Sequence, residues 1–146
     1  MSHTPVLLDA CIEALKVEAG DTVVDATLGG AGHFSALLSH MNESNTLIGI
    51  DADSEAVERA TVASTGASAR VHVVHDNFRN MTNILENIAI QEIDGSLFDL
   101  GWSSYHLSAQ KGFSFQGNEP LQMSYGEQGS GVASAADIVN GYTEHE

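Results

Sequence analysis

Four carboxylates close four short apolar runs: Asp25, Asp51, Asp76 and Asp99. Glycines follow the first of them, in Val23-Val24-Asp25-Ala26-Thr27-Leu28-Gly29-Gly30-Ala31-Gly32-His33. A strand, a carboxylate, a glycine loop and then a helix is how an α/β protein meets a nucleotide-like ligand at its first strand. A lone strand-end Asp often does no more than cap the next helix. Four in phase, one of them opening a glycine loop, point to a shared ligand rim.

Two ligand chemistries compete for that rim. The dinucleotide fingerprint needs three glycines at fixed spacing and an acid further on. Gly30-Ala31-Gly32-His33-Phe34-Ser35 puts serine in the third place, so the fit is imperfect. A phosphate-binding Walker loop fails, because no Gly-Lys-Ser/Thr follows. S-adenosylmethionine has no pyrophosphate and asks for less. It needs a loop that lets backbone approach its methionine part, which Gly29 to Gly32 offer, with Asp25 beneath them. It also needs a carboxylate for the ribose hydroxyls, and Asp51 can accept both. Phe78 is placed to stack on an adenine. In Asp99-Leu100-Gly101-Trp102-Ser103-Ser104 the carboxylate faces the methyl group. An exocyclic amine attacking that carbon needs its hydrogens held, which is the role of Asp99, with Ser103 or Ser104 orienting the base.

A metal centre is not expected. The seven histidines show no His-x-x-x-His pair, and Cys11 is the single cysteine. His33 on the glycine loop and His106 beyond the fourth strand read as cofactor neighbours.

The elements that must carry these residues follow from the spacing of apolar positions. Pro5 to Leu15 reads as a helix, with Thr4 as cap and Pro5 at its first position. Thr22 to Ala26 is a buried strand, and Phe34 to Met41 a helix. Leu47 to Asp51 is the second strand. Ser54 to Ala63 is the next helix, with Ser54 as cap. Val71 to His75 is the third strand, Asn80 to Ile90 a helix, and Ser96 to Leu100 the fourth strand. Near-continuous apolar strands alternating with helices predict a parallel sheet covered on both faces. From Trp102 onward Ser, Gly and Gln dominate, with a short helix near Ala133 to Val139. The fourth strand stands at an edge, so a partner chain pairs there or the sheet continues in a longer protein.

The length of 146 residues suits one domain. Twenty acids against five bases give a net charge of −15, which repels phosphate backbones and predicts weak affinity for RNA. The first residues show no secretory pattern and no apolar run is long enough for a membrane span. With one cysteine, a reducing cytoplasm is the expected setting.

These motifs fall in a known order. They run from His3-Thr4-Pro5-Val6-Leu7-Leu8-Asp9 through the glycine loop, Ile50-Asp51-Ala52-Asp53, His75-Asp76-Asn77-Phe78 and the Asp99 block to Lys111-Gly112-Phe113-Ser114-Phe115. The chain resembles the bacterial 16S ribosomal RNA (cytosine-N(4)-)methyltransferases of the RsmH/MraW type. The resemblance implies a Rossmann-like class I methyltransferase core that uses S-adenosylmethionine to methylate a cytosine amine in the decoding centre of the small ribosomal subunit. By position it assigns Ala31, Gly32, His33, Asp51, Phe78, Asp99 and His106 to the cofactor. It divides the chain into a cofactor core, residues 1–104, and the start of an inserted substrate-recognition region, residues 105–146. The family's Asp-Met-Arg-Met-Asp block stands here as Gln122-Met123-Ser124-Tyr125-Gly126. The family's remaining strands have no counterpart, so the sheet is expected to be incomplete. Two other readings stay open: a truncated, non-catalytic module for cofactor binding or interaction, and an NAD-dependent oxidoreductase domain. In any of these readings the exposed fourth strand predicts a homodimer through the sheet edge.

Overall fold

The computed structural model describes residues 5, 7–101, 112–114, 118–123 and 133–145. The chain divides into two compact units, Met1–Gly101 and Trp102–Glu146. In the first unit the order is α1 (Leu8–Leu15), β1 (Thr22–Asp25), α2 (Gly32–His40), β2 (Thr46–Asp51), α3 (Ser54–Ala63), β3 (Arg70–His75), α4 (Met81–Asn87) and β4 (Gly95–Leu97). The strands form one sheet in the order β3-β2-β1-β4, and every pairing is parallel. This is the doubly wound arrangement of an α/β protein.

The two faces of the sheet are separated by the strands' period of two. Val23 and Leu47 turn to one face, where they meet Phe34 and Leu37 of α2, Ala56 and Ala60 of α3, and Ile12 and Leu15 of α1. Val24, Ile48 and Ile50 turn to the other, where Ile84 of α4 covers them with Met81, Leu85 and Ile88 around it. Phe34, Leu37, Leu47 and Ile48 are wholly buried. Each contributes on the order of 1.5–3 kcal/mol by leaving water. The strand edges are pinned by side chains as well. Asp94 accepts the amide of Thr22 (2.8 Å) and so seats β4 on β1. Buried Asn45 donates to the carbonyl of Glu18 (2.6 Å), tying the turn before β2 to the turn before β1.

Several element boundaries differ from the expectation. Helix α1 begins at Leu8, with Leu7 at its cap in the left-handed region (φ 56°). Pro5 is therefore outside the helix, and Thr4 lies outside the described residues. Pro5 packs where a side chain on Gly32 would stand, its Cδ 2.8 Å from that position. Ser54 is the first residue of α3; the cap position belongs to Asp53, whose buried side chain is turned toward Arg59 instead. The helix after β3 is shorter than Asn80 to Ile90. Phe78–Asn80 form a 3-10 turn, and Ala89 at φ 58° ends α4. Strand β4 pairs only over Gly95–Leu97, and Phe98 and Leu100 are exposed. Sequence alone could not show that the apolar run from Leu97 to Leu100 leaves the sheet halfway.

The second unit contains α5 (Ala135–Gly141), held by a capping box between Ser134 and Asp137. The Ser134 hydroxyl and amide hold the Asp137 carboxyl below its usual range. The amides of Ala135 and Ala136 donate to the carbonyls of Gln122 and Leu121.

Candidate functional site

The carboxyl ends of the strands in the first unit carry the residues singled out above. Asp25 ends β1 and Asp51 ends β2. Asp76 follows β3, and Asp99 stands two residues beyond β4. The crossover from β3 to β4 passes β1, so the strand order reverses between β1 and β4, where ligands bind in open α/β sheets.

Asp25 has no exposed surface. One carboxylate oxygen accepts the amide of Thr27 (3.1 Å), while Oδ2 has no hydrogen-bond partner among the described residues. Its pKa is raised to about 7, chiefly by burial, with the charges of Asp51 and Asp99 adding to the rise and the Thr27 amide pulling against it.

The loop after β1 has two left-handed residues, Gly29 (φ 48°) and Ala31 (φ 59°). Ala31 is the cap of α2, and its methyl group makes that conformation cost about 1–2 kcal/mol. Asp51 is held from two sides: Gly29 donates to Oδ2 and Asp53 to Oδ1, both at 2.9 Å. A carboxylate oxygen has a second lone pair, so Asp51 keeps accepting capacity after these bonds. Gly49, beneath the loop, leaves room for it. A Cβ there would stand 2.6 Å from Leu28 Cδ2 and 2.8 Å from Phe34 Cε2.

His33 is buried in the first turn of α2, with its Nδ1 3.7 Å from Asp99 Oδ2. Its Nε2 is buried without a hydrogen-bond partner among the described residues. The Asp99 amide donates to Thr27 Oγ1 (2.8 Å), which ties the end of β4 to the glycine loop. Phe78 is half exposed and meets Phe98 edge to face, ring centres 5.5 Å apart. Asp76 accepts locally at Oδ1, from the Asn77 amide (2.7 Å) and Asn80 Nδ2 (2.8 Å).

Asp25, Gly29, Ala31, Gly32, His33, Asp51, Phe78 and Asp99 thus all lie in one unit, on the loops that leave the carboxyl ends of its strands. Ser103, Ser104 and His106, like Trp102, fall outside the described residues. Sequence reasoning passed over Thr27, Phe98 and Arg59. Arg59 Nε donates to the Gly29 carbonyl (3.0 Å), and its guanidinium lies 3.7 Å from Asp53 and 3.6 Å from Glu55. The one signal in the sequence was the spacing of Glu55 and Arg59, four apart on a helix. Among the described residues no group of three or more His, Cys, Asp or Glu could hold a metal ion. No helix among them is long and apolar enough to cross a membrane.

The family model of the MraW methylases matches residues 1–146. The chain belongs to the MraW methylase family. Two proteins named ribosomal RNA small subunit methyltransferase H match this MraW-family chain over 99% of its length. The one from Ruminiclostridium cellulolyticum is 41% identical over 147 residues, and the one from Clostridioides difficile 40% over 145. The chain spans 46% of each, about half the length of the curated relatives it matches. Among solved structures, one from Clostridium thermocellum described as an rRNA-methylase superposes with a TM-score of 0.56 at 28% identity. It covers 68% of this chain and 54% of the other. An rRNA methylase from Streptococcus thermophilus superposes at 0.50 over 75% of this chain and 62% of its own; at 18% identity it speaks for the fold alone. The fold is α/β, of the Rossmann-like methyltransferase type.

Proposed function

We propose that this chain forms the cofactor-binding part of an S-adenosylmethionine-dependent methyltransferase acting on the N(4) amine of a cytosine in small-subunit ribosomal RNA. The observation that carries the reading is Asp51. It ends β2 beside a left-handed glycine loop, in a chain of a methylase family, with both oxygens oriented by backbone amides.

The other residues fit such a ligand. Asp25 Oδ2 and His33 Nε2 are buried polar atoms without partners among the described residues, an arrangement costly to keep unless a ligand or water completes it. The Phe78 ring is exposed enough to take an adenine. In this reading Asp51 accepts the ribose hydroxyls, and Gly29, Ala31, Gly32 and His33 line the methionine part. S-adenosylmethionine supplies an electrophilic methyl group. Asp99 holds the hydrogens of the attacking amine and takes its proton; Ser103 and Ser104 orient the base, and His106 adds a cofactor contact. Residues 1–104 form the cofactor core and 105–146 begin the substrate-recognition region. A ribosomal substrate sets the protein in the cytoplasm.

A net charge of −15 with five bases favours a second reading, a cofactor-binding module that does not itself grip RNA. Calorimetry tests what the two share. The chain is expected to bind S-adenosylmethionine and to give no heat with NAD. Heat with NAD and none with S-adenosylmethionine would sink both in favour of an oxidoreductase domain. Methyl transfer to small-subunit RNA by the purified chain would then dismiss the second reading.

A further inference from the structure

Arg59 sits on α3, away from the glycine loop in sequence, yet it holds both residues that hold Asp51. The Gly29 amide donates to Asp51 Oδ2 (2.9 Å), and the Gly29 carbonyl accepts from Arg59 Nε (3.0 Å). The Asp53 amide donates to Asp51 Oδ1 (2.9 Å), and the Asp53 carboxylate lies 3.7 Å from Arg59 Nη2. Asp53 is buried, and the Arg59 side chain is three-quarters buried. One guanidinium therefore hydrogen-bonds one of the two residues that orient Asp51 and stands at ion-pair distance from the other. Its planar fork presents Nε to the carbonyl and Nη2 to the carboxylate in one fixed geometry, which the single point charge of a lysine does not reproduce.

A helix-surface ion pair would not need this geometry. The Glu55 contact, four residues back and largely exposed, is of that ordinary kind. The bond to Gly29 is different. It crosses from α3 to a loop residue in the left-handed region. Among the five basic residues of the chain, three are arginines, and this one is turned inward toward the rim.

We infer that Arg59 is a positioning residue: by clamping Gly29 and Asp53 it aims the Asp51 carboxylate at the vicinal diol of a ribose-bearing ligand. This deepens the proposed function and rests on its assignment of Asp51 to the ribose. Arg59 itself touches no ligand in this scheme. Its loss is felt as a loss of discrimination, because a carboxylate free to turn accepts one hydroxyl as readily as another donor.

The test uses the 146-residue chain with Arg59→Met and Arg59→Lys, and has two arms. The first needs no ligand: hydrogen exchange of the Gly29 and Asp53 amides, read by NMR against core amides of β2. Both variants are expected to exchange about tenfold faster at Gly29, the size of one lost hydrogen bond, with Ile48 unchanged. The second arm compares S-adenosylhomocysteine with its 2′-deoxyribose analogue. The wild type is expected to prefer the diol by about tenfold or more, as for a hydrogen bond to a charged group. That preference should collapse in Arg59→Met and fall in Arg59→Lys, which keeps the charge but not the fork. Glu55→Gln should keep it. A wild-type preference in both Arg59 variants overturns the inference, whatever their stability, and so does unchanged exchange at Gly29. Absence of S-adenosylhomocysteine binding by the wild type would instead sink the cofactor reading, and the exchange arm alone would then decide whether Arg59 holds the loop.

Discussion

Asp25 shows how one side chain can set the pH dependence of the molecule. It is fully buried, one oxygen lacks a partner among the described residues, and its pKa is raised to about 7 chiefly by burial. In the unfolded chain it ionises near the usual carboxylate range. Between these values the folded state holds a proton that the unfolded state has lost. Stability therefore falls as pH rises from about 4 to about 7, and levels off above. Asp25→Asn keeps the acceptor for Thr27 and cannot ionise. We predict that its stability relative to wild type grows from pH 4 to pH 7, by an amount on the order of a few kcal/mol. Chemical denaturation of both proteins at pH 4.5, 6 and 8 measures this. A difference that stays flat across the three would show that Asp25 is already ionised in the fold.

At the scale of elements, the unit that matters is β1, its loop and α2, laid over β2. Phe34 and Leu37 bury α2 against the sheet, and the loop residue Leu28 joins them. Close approach is possible because Gly49 has no side chain: a Cβ there would come within 3 Å of both Leu28 and Phe34. Gly49→Ala is predicted to destabilise by about 1–3 kcal/mol through overpacking, and to weaken ligand binding because Leu28 carries the loop with it. Gly141→Ala, where nothing lies within 4 Å, serves as the neutral comparison. Urea unfolding and calorimetry on the two variants decide. Equal stability of both would mean that loop and strand are not in the contact described.

For the whole molecule, charge and the sheet edge govern association. The charge of −15 opposes any polyanion. We predict that the isolated chain binds a small-subunit RNA fragment more weakly than about 0.1 mM at physiological salt, the weak end of non-specific affinity. Filter binding across a salt series tests this; a micromolar dissociation constant that weakens steeply with salt would reveal a basic surface that composition hides. The edge argument for a dimer is softer than the sequence suggests. β4 pairs over three residues only, and so short an edge offers few groups to a second chain.

Much of this was legible in the residues themselves. Strand-end carboxylates, apolar runs and the glycine loop placed β1, β2 and β3 within a residue or so, and α3 at its observed span, because buried parallel strands must be continuously apolar and helices must repeat near 3.6. The family too was readable, since its motifs are local strings. What local strings do not carry is where a chain turns away or which distant groups meet. Leu97 to Leu100 reads as strand, but β4 ends at Leu97, since only pairing with β1 could decide its length. Arg59 reads as a helix-surface base paired with Glu55, but tertiary contact gives its Nε to the Gly29 carbonyl, thirty residues away. Asp25 reads as one acid among four, and only burial separates it from Asp76, whose Oδ1 accepts from its own neighbours. The amino-acid sequence determined the elements and put the carboxylates at their ends. The tertiary structure decided which of those carboxylates is buried, which is clamped and which is exposed, because desolvation and long-range hydrogen bonds exist only once the strands lie side by side.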